Sequence, residues 1–509
     1  MTAPVRPRAW TRRRIAIAAL AAALAGGTGA GVLMAGSEDA GERDLPDVFK
    51  LPDGERGPDF DTAGFEPFEY DAEHDDDLLE RGRDAFSHVV YAKSPGGVEV
   101  TERRVALFQP LIDRSAERHG VSADTLGALV FLESAGRPEV MANGDPESAT
   151  GLAQILPGTA TSLLGMRVDV ARSRELTRAI DRNSRKAAKA STGKGRRLFT
   201  RRLAKARRDR RVIDERFDPA KAVDGAARYL AIAERRFRRE DLAAASYHMG
   251  MGNLSNVIDA YGEGRVPFVR LYFDSSPTHN PRAYRRLTSF GDDSRHYLFR
   301  LEAAREIRRL YREDRDELRR LAGLHGNKAS AEEVLRPPSD NEPFEDADDL
   351  RDAYDDGDLV PLPSDPGRLG YRIGRGMGAL ARRLEERREL YRGLRPEALG
   401  LLVYIAKEVR RLGAERALRV TSTVRDLDYQ RLLVVSNPQA TSGFSLHTTG
   451  YAIDIARSDA NESELVHVLE RLKALRVIDF VYEPGAIHLT AGPDAEAYLP
   501  LYEAVAGDR

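Results

Sequence analysis

Two acidic stretches rich in glycine and proline divide this chain. The first covers residues 37–98 and includes EHDDDLLERGRD; the second covers 316–367 and carries EEVLRPPSDNEPFEDADDLRDAYDDGDLVPLPSDPG. Segments so charged bury too little apolar surface to offset the entropy of ordering, so both are expected as linkers. They leave two globular parts, 99–315 and 368–509, a division that suits a chain of 509 residues. With 41% hydrophobic residues there is apolar material for real cores, which excludes a wholly disordered chain.

Charge is segregated along the chain. The formal net charge of -2 hides 79 basic and 81 acidic side chains, which excludes a uniformly basic nucleic-acid binder. Within 167–216, 19 Lys or Arg stand against 6 Asp or Glu. That insertion reads either as a solvated helical hairpin or as a patch for a polyanion, such as a phosphate-rich wall polymer or an anionic membrane surface. It lacks the interleaved aromatics of a single-strand stacking platform, with Phe199 nearly alone. The absence of cysteine excludes a disulfide scaffold, a thiol nucleophile and a Cys-ligated metal.

At the N-terminus, Arg12, Arg13 and Arg14 precede an uncharged run of small and apolar residues from Ile15 to Gly36. This is the layout of a secretory signal, and Thr11–Ile15 resembles a twin-arginine signal. The run also reaches the roughly 20 residues needed to cross a bilayer. Residues 1–36 are therefore read as a signal peptide or a membrane anchor, and the protein as exported, which argues against nucleic acid as a partner.

In the first part, Leu107, Leu111 and Ile112 share one helical face, and Leu126, Leu129, Val130 and Leu132 follow the break at His119-Gly120-Val121. Gly136 and Pro138 end the second helix just after Glu133. An isolated glutamate there is ordinarily a solvated helix end. One partly withdrawn from water has a raised pKa, as a general acid near neutral pH requires.

Three further motifs follow: Gly151-Leu152-Ala153-Gln154, RFDPAKAVDGAARYLA from Arg216, and AAASYHMGMGN from Ala243. With Glu133-Ser134 they give this part a resemblance to the soluble lytic transglycosylases, whose lysozyme-like helical domain carries E-S, G-L-M-Q and A-Y-N-A-G motifs in that order. The resemblance implies a peptidoglycan substrate and Glu133 as catalytic acid and base. It places Ser134 and Gln154 beside Glu133 and the sugar, and Tyr247 along the cleft. Ala153 replaces the usual Met, and His248 stands where the family has Asn.

In the second part, a helix over Leu399–Leu412 precedes a β-like run from Leu418. SGFSLHTTGYAIDIA then brings His447 and Asp454, and FVYEPGAIHLTAG brings His488, with Ile487 and Leu489 on the opposite face of a strand. Two imidazoles and one carboxylate suit a catalytic zinc site with an open position. The pattern resembles the D-Ala-D-Ala metallopeptidases and related L-Ala-D-Glu endopeptidases. That resemblance implies zinc on His447, Asp454 and His488, with Arg425, five residues before Gln430, stabilising an oxyanion. Glu483 is the general-base candidate, although it lies five residues before His488 where the family has about three.

The expectation is thus a multidomain protein: a mainly α, lysozyme-like domain followed by a small α+β, zinc-peptidase-like domain, both directed at peptidoglycan. The rival reading is a wall-binding scaffold in which one or both sites have degenerated.

Overall fold

The computed structural model describes residues 65, 67, 68, 70–326, 330–437, 440–458 and 461–507. The signal or anchor segment, 1–36, lies outside them. Among the described residues no helix is long and apolar enough to cross a membrane.

Much of the first acidic stretch is folded. Helix α1 (Asp75–Ala92) opens on Asp75, Asp76 and Asp77, where carboxylates meet the positive end of the helix dipole. Its Leu78, Ala85, Phe86 and Val90 are buried. A Cβ on Gly82 would stand 2.4 Å from the Phe299 ring, so glycine is what lets α1 lie this close to its neighbour. The acidic residues that suggest a linker are in fact the polar end and outer face of an amphipathic helix.

The first part continues with α2 (Val98–Ala106), α3 (Gln109–His119) and α4 (Ala123–Ser134). Leu107 is 77% exposed, contrary to its expected place on the apolar face, because the chain breaks between α2 and α3 at this point. Next come α5 (Val170–Lys189) and α6 (Gly193–Ile213), an antiparallel hairpin built from the basic insertion. Helices α7 (Pro219–Phe237), α8 (Glu240–Met249), α9 (Met251–Tyr261), α10 (Phe268–Phe273), α11 (Pro281–Thr288), α12 (Tyr297–Glu313) and α13 (Arg315–Gly326) complete it. One core of buried residues from α2–α4, α7–α9 and α12 holds the helices together.

The second acidic stretch is also structured, with α13, α14 (Glu332–Leu335) and α15 (Ala347–Asp355). In α15 the acids again belong to the helix start: Asp346 accepts from the backbone N–H groups of Asp348 and Asp349, while Leu350, Ala353 and Tyr354 are buried.

Two short strands, β1 (Val360–Pro361) and β3 (Gly393–Leu394), pair with each other. The main sheet has five strands in the order β2 (Tyr371–Ile373), β4 (Leu418–Ser422), β5 (Ala452–Ala456), β7 (Ala486–Ala491) and β6 (Ile478–Glu483). All neighbours are antiparallel except β2 and β4. Helices α16 (Pro396–Arg411), α18 (Glu462–Ala474) and α19 (Leu499–Gly507) bury one side of it, and α17 (Leu427–Ser436) follows β4.

The described residues fall in one compact unit. Leu78, Ala85 and Phe86 of α1, Val269 and Phe273 of α10, and Phe299 of α12 share a core with α16, α18 and the sheet. The two parts are therefore joined through common apolar packing, with α1 at the seam.

Candidate active sites

Ser122 caps the start of α4 by accepting from the Thr125 N–H, and Leu126, Leu129, Val130 and Phe131 anchor the helix in the core. Ala135 (φ 53°) and Gly136 (φ 68°) turn left-handed and end it. Arg104 fixes this turn by donating to the Ala135 carbonyl at 2.8 Å. The helix end is thus held from both sides, and Glu133 projects from its last turn into a cleft of about 220 Å³.

The Tyr297 hydroxyl, at the start of α12, donates to Glu133 Oε1 at 2.6 Å. Burial pushes the Glu133 carboxyl from its ordinary 4.5 up to about 7, against the opposing effect of that hydrogen bond. Val89, Val90 and Lys93 of the α1 region line the cleft with Phe131, Leu132, His248, Tyr297 and Arg300. Among the described residues lining it, Glu133 is the one carboxylate.

The other expected residues are distributed around this centre. His248 is exposed and stacks on Tyr297, with ring centres 5.1 Å apart, while its Nδ1 shares a 2.9 Å hydrogen bond with Ser294. The Tyr247 hydroxyl donates to the Ala153 carbonyl at 2.7 Å, pinning the loop that carries Gln154. Gln154, at φ 46°, donates back to the Gly151 carbonyl at 2.9 Å. Ser134 is buried and donates to the Val130 carbonyl at 3.0 Å, one helical turn back. Ser134 and Gln154, expected beside Glu133 and the sugar, thus give their side-chain hydrogen bonds to nearby backbone carbonyls.

The Gln154 loop is tied to the base of the basic hairpin. Arg216, fully buried, donates to the Pro146, Ser148 and Ile155 carbonyls and pairs with equally buried Asp214 at 2.8 Å. A Cβ on Gly151 would collide with the Arg216 carbonyl at 1.9 Å, which accounts for glycine there.

In the second part, pairing between β5 and β7 sets Asp454 directly opposite His488. His447 arrives from the 3₁₀ turn Leu446–Thr449, just before β5. His447 Nε2 lies 3.2 Å and His488 Nδ1 2.9 Å from the same Asp454 oxygen. Ile487 and Leu489 point the other way, into the core.

Donor chemistry fits a metal ion. His447 donates its Nδ1–H to the Thr423 carbonyl at 2.6 Å, which leaves Nε2 with its lone pair toward the cluster. Burial, then the Arg425 charge, lowers its pKa to about 4, so the imidazole is neutral. Three ligand atoms from His447, Asp454 and His488 lie within 4.8 Å of one another. Burial opposes a charge on His488, but its bonds to Asp454 and Glu332 outweigh that and raise it to about 10 without a metal. A metal ion bound there would displace a proton.

Arg425 is buried beside the cluster, donating to Gln430 at 2.9 Å, to Ser422 at 2.7 Å and to Asp454 at 3.3 Å. Glu483, at the end of β6, lines the same cleft, where burial and then the Asp454 charge raise its pKa. The cleft measures about 220 Å³.

Sequence reasoning missed two site residues. Tyr297 gives no signal beyond being one more aromatic at the start of an amphipathic helix. Glu332, which accepts from His488 Nε2 at 2.9 Å, lies in the stretch expected as a linker.

Residues 198–265 match the family described as Transglycosylase SLT domain. This match runs from within α6 through α9, includes Tyr247 and His248, and supports the transglycosylase resemblance of the first part; it does not extend to the second. No curated protein matches the chain.

Proposed function

We propose that this is an exported peptidoglycan-remodelling enzyme whose first part is a lytic transglycosylase. The observation that carries this reading is a single glutamate, half-protonated near neutral pH, in a cleft with no second carboxylate among its described lining residues. An ordinary glycosidase needs two.

With its proton on the oxygen not held by Tyr297, Glu133 protonates the bridging oxygen between N-acetylmuramic acid and N-acetylglucosamine as the C1–O bond breaks. The resulting carboxylate then takes the proton of the muramyl 6-hydroxyl as that oxygen bonds to C1. A 1,6-anhydro ring closes, the proton returns to Glu133 and no water is consumed. Holding the 6-hydroxyl within the same sugar replaces the second carboxylate by proximity. His248, stacked on Tyr297 and exposed, is proposed to meet an N-acetyl group.

The second part is proposed as a zinc peptidase acting on stem peptides. His447 through Nε2, Asp454, and His488 through Nδ1 would hold the ion, whose chemistry there is Lewis-acid polarisation of an amide carbonyl. Arg425, fixed by Gln430 and Ser422, offers a cation to the developing oxyanion. Glu483 takes the proton of the attacking water. Its position in the cleft supports this despite the unusual spacing.

The basic hairpin is proposed to engage a phosphate-rich wall polymer. Residues 182–208 hold twelve exposed Lys or Arg and no Asp or Glu. The helices face each other through Ser173, Thr177 and Ile180 on α5 and Ala206 and Arg210 on α6. Helical periodicity puts Arg178, Arg182, Arg185 and Lys189 on one outer face and Lys194, Arg197, Arg201 and Arg208 on the other. Charge on opposite faces suits a surrounding polymer better than a flat membrane.

Digestion of purified peptidoglycan with mass analysis of the products tests the main reading. The expected products carry 1,6-anhydro-muramyl ends, and Glu133→Gln yields none. Hydrolytic reducing ends, or anhydro ends persisting in the variant, would sink it.

A further inference from the structure

The His488 ring is held between two carboxylates. Nδ1 faces Asp454, and Nε2 donates to Glu332 Oε2 at 2.9 Å. Thr490, two residues along β7, donates to that same Glu332 oxygen at 3.2 Å. Glu332 is 6% exposed.

Its short helix is fastened to the sheet from both ends. The Ala331 N–H donates to Asp479, and Arg336 donates to the Ala491 carbonyl at 2.8 Å and to that of Gly492 at 3.1 Å. Arg336 also lies over the Tyr451 ring at 3.4 Å, and Leu335 is buried. The two imidazoles are consequently oriented from different places. Thr423, within the second part, fixes His447; the segment joining the two parts fixes His488.

A metal-binding histidine needs its second ring nitrogen committed to an acceptor, which sets both the ring's orientation and which nitrogen carries the lone pair. We propose that Glu332 is the positioning residue for His488, so that the metal centre is completed by the strap between the two parts. This rests on the reading of His447, Asp454 and His488 as a metal site. Glu332 also lines the cleft, and it meets the ligand cluster through His488 Nε2.

The test uses the full chain, with Zn²⁺ affinity measured by competition against a chromogenic chelator and with the visible spectrum of the Co²⁺-loaded protein. Wild type is expected to bind about one zinc per chain, and His447→Ala to lose it. Glu332→Ala is expected to weaken zinc binding by roughly 10- to 100-fold at unchanged stoichiometry. Glu332→Gln, whose amide oxygen can still accept from Nε2, should recover part of that loss. The cobalt spectrum should shift in Ala and less in Gln, a change that a purely structural contact would not produce. Should the Ala variant fail to fold, the Gln variant alone carries the comparison. Zinc affinity and cobalt spectrum both equal to wild type in the folded variants would overturn the role of Glu332 while leaving the metal site intact. A wild-type chain that binds no zinc would overturn both.

Discussion

The Glu133–Tyr297 pair sets the chemistry of the first site, and both of its terms can be measured. The carboxyl is raised to about 7 by burial, while the Tyr297 hydroxyl favours the ionised form and so opposes that rise. Tyr297→Phe should move the alkaline limb of the activity profile upward by about one pH unit, equivalent to ~1.4 kcal/mol. An unmoved limb in rate measurements between pH 5 and 9 would show that the hydroxyl does not tune the acid. Stability follows with the opposite sign to that of an ordinary salt-bridged carboxylate. Because Glu133 binds its proton more tightly folded than unfolded, it costs stability as pH rises from 4.5 to about 7, and the full cost persists above that. Glu133→Gln should therefore be the more stable protein at pH 8, by up to about 3 kcal/mol, with the difference fading toward pH 5. Urea unfolding at the two pH values checks this.

At the scale of elements, the basic hairpin separates stability from binding. Its attachment lies in the Arg216–Asp214 pair and in Glu139, which takes Arg210 and Arg211, whereas the cations toward its tip are exposed. Replacing Arg196, Arg197, Arg201 and Arg202 with Gln should leave the unfolding midpoint nearly unchanged, as exposed surface substitutions do. Cosedimentation with purified walls should fall, and the wild-type interaction should weaken steeply with salt. Equal retention on walls stripped of phosphate polymer would rule that polymer out as the partner. The acidic helices α1 and α15 teach a related lesson. Their acids dominate any compositional window, yet those acids occupy first turns and outer faces. The apolar stripe beneath them, Leu78, Ala85 and Phe86 in one and Leu350 and Tyr354 in the other, is what folds.

At the scale of the molecule, α1 and α12 share a core with the sheet domain, so the two parts are mechanically one body. Gly82→Ala would press a methyl group against Phe299 at that seam, and such overpacking costs about 1–3 kcal/mol. Calorimetry should show a single cooperative transition, moved to lower temperature by this substitution. Two transitions, with only one responding, would mean that the shared core does not couple the parts.

Local pattern was enough to pick out the residues that the two clefts bring together: a glutamate closing an apolar helix, a histidine and an aspartate seven positions apart, the aspartate on a strand, and a second histidine alternating with core residues. Helical and strand periods are short-range, and these features are too. What lay beyond the sequence was juxtaposition. Tyr297 meets Glu133 across 164 residues, and Glu332 meets His488 across 156. Neither contact leaves a periodic trace, because each exists only where separately folded elements pack together. The fate of the acidic stretches was decided in the same way. Burial of a few apolar side chains against a distant core outweighed a composition that, taken segment by segment, favours solvent.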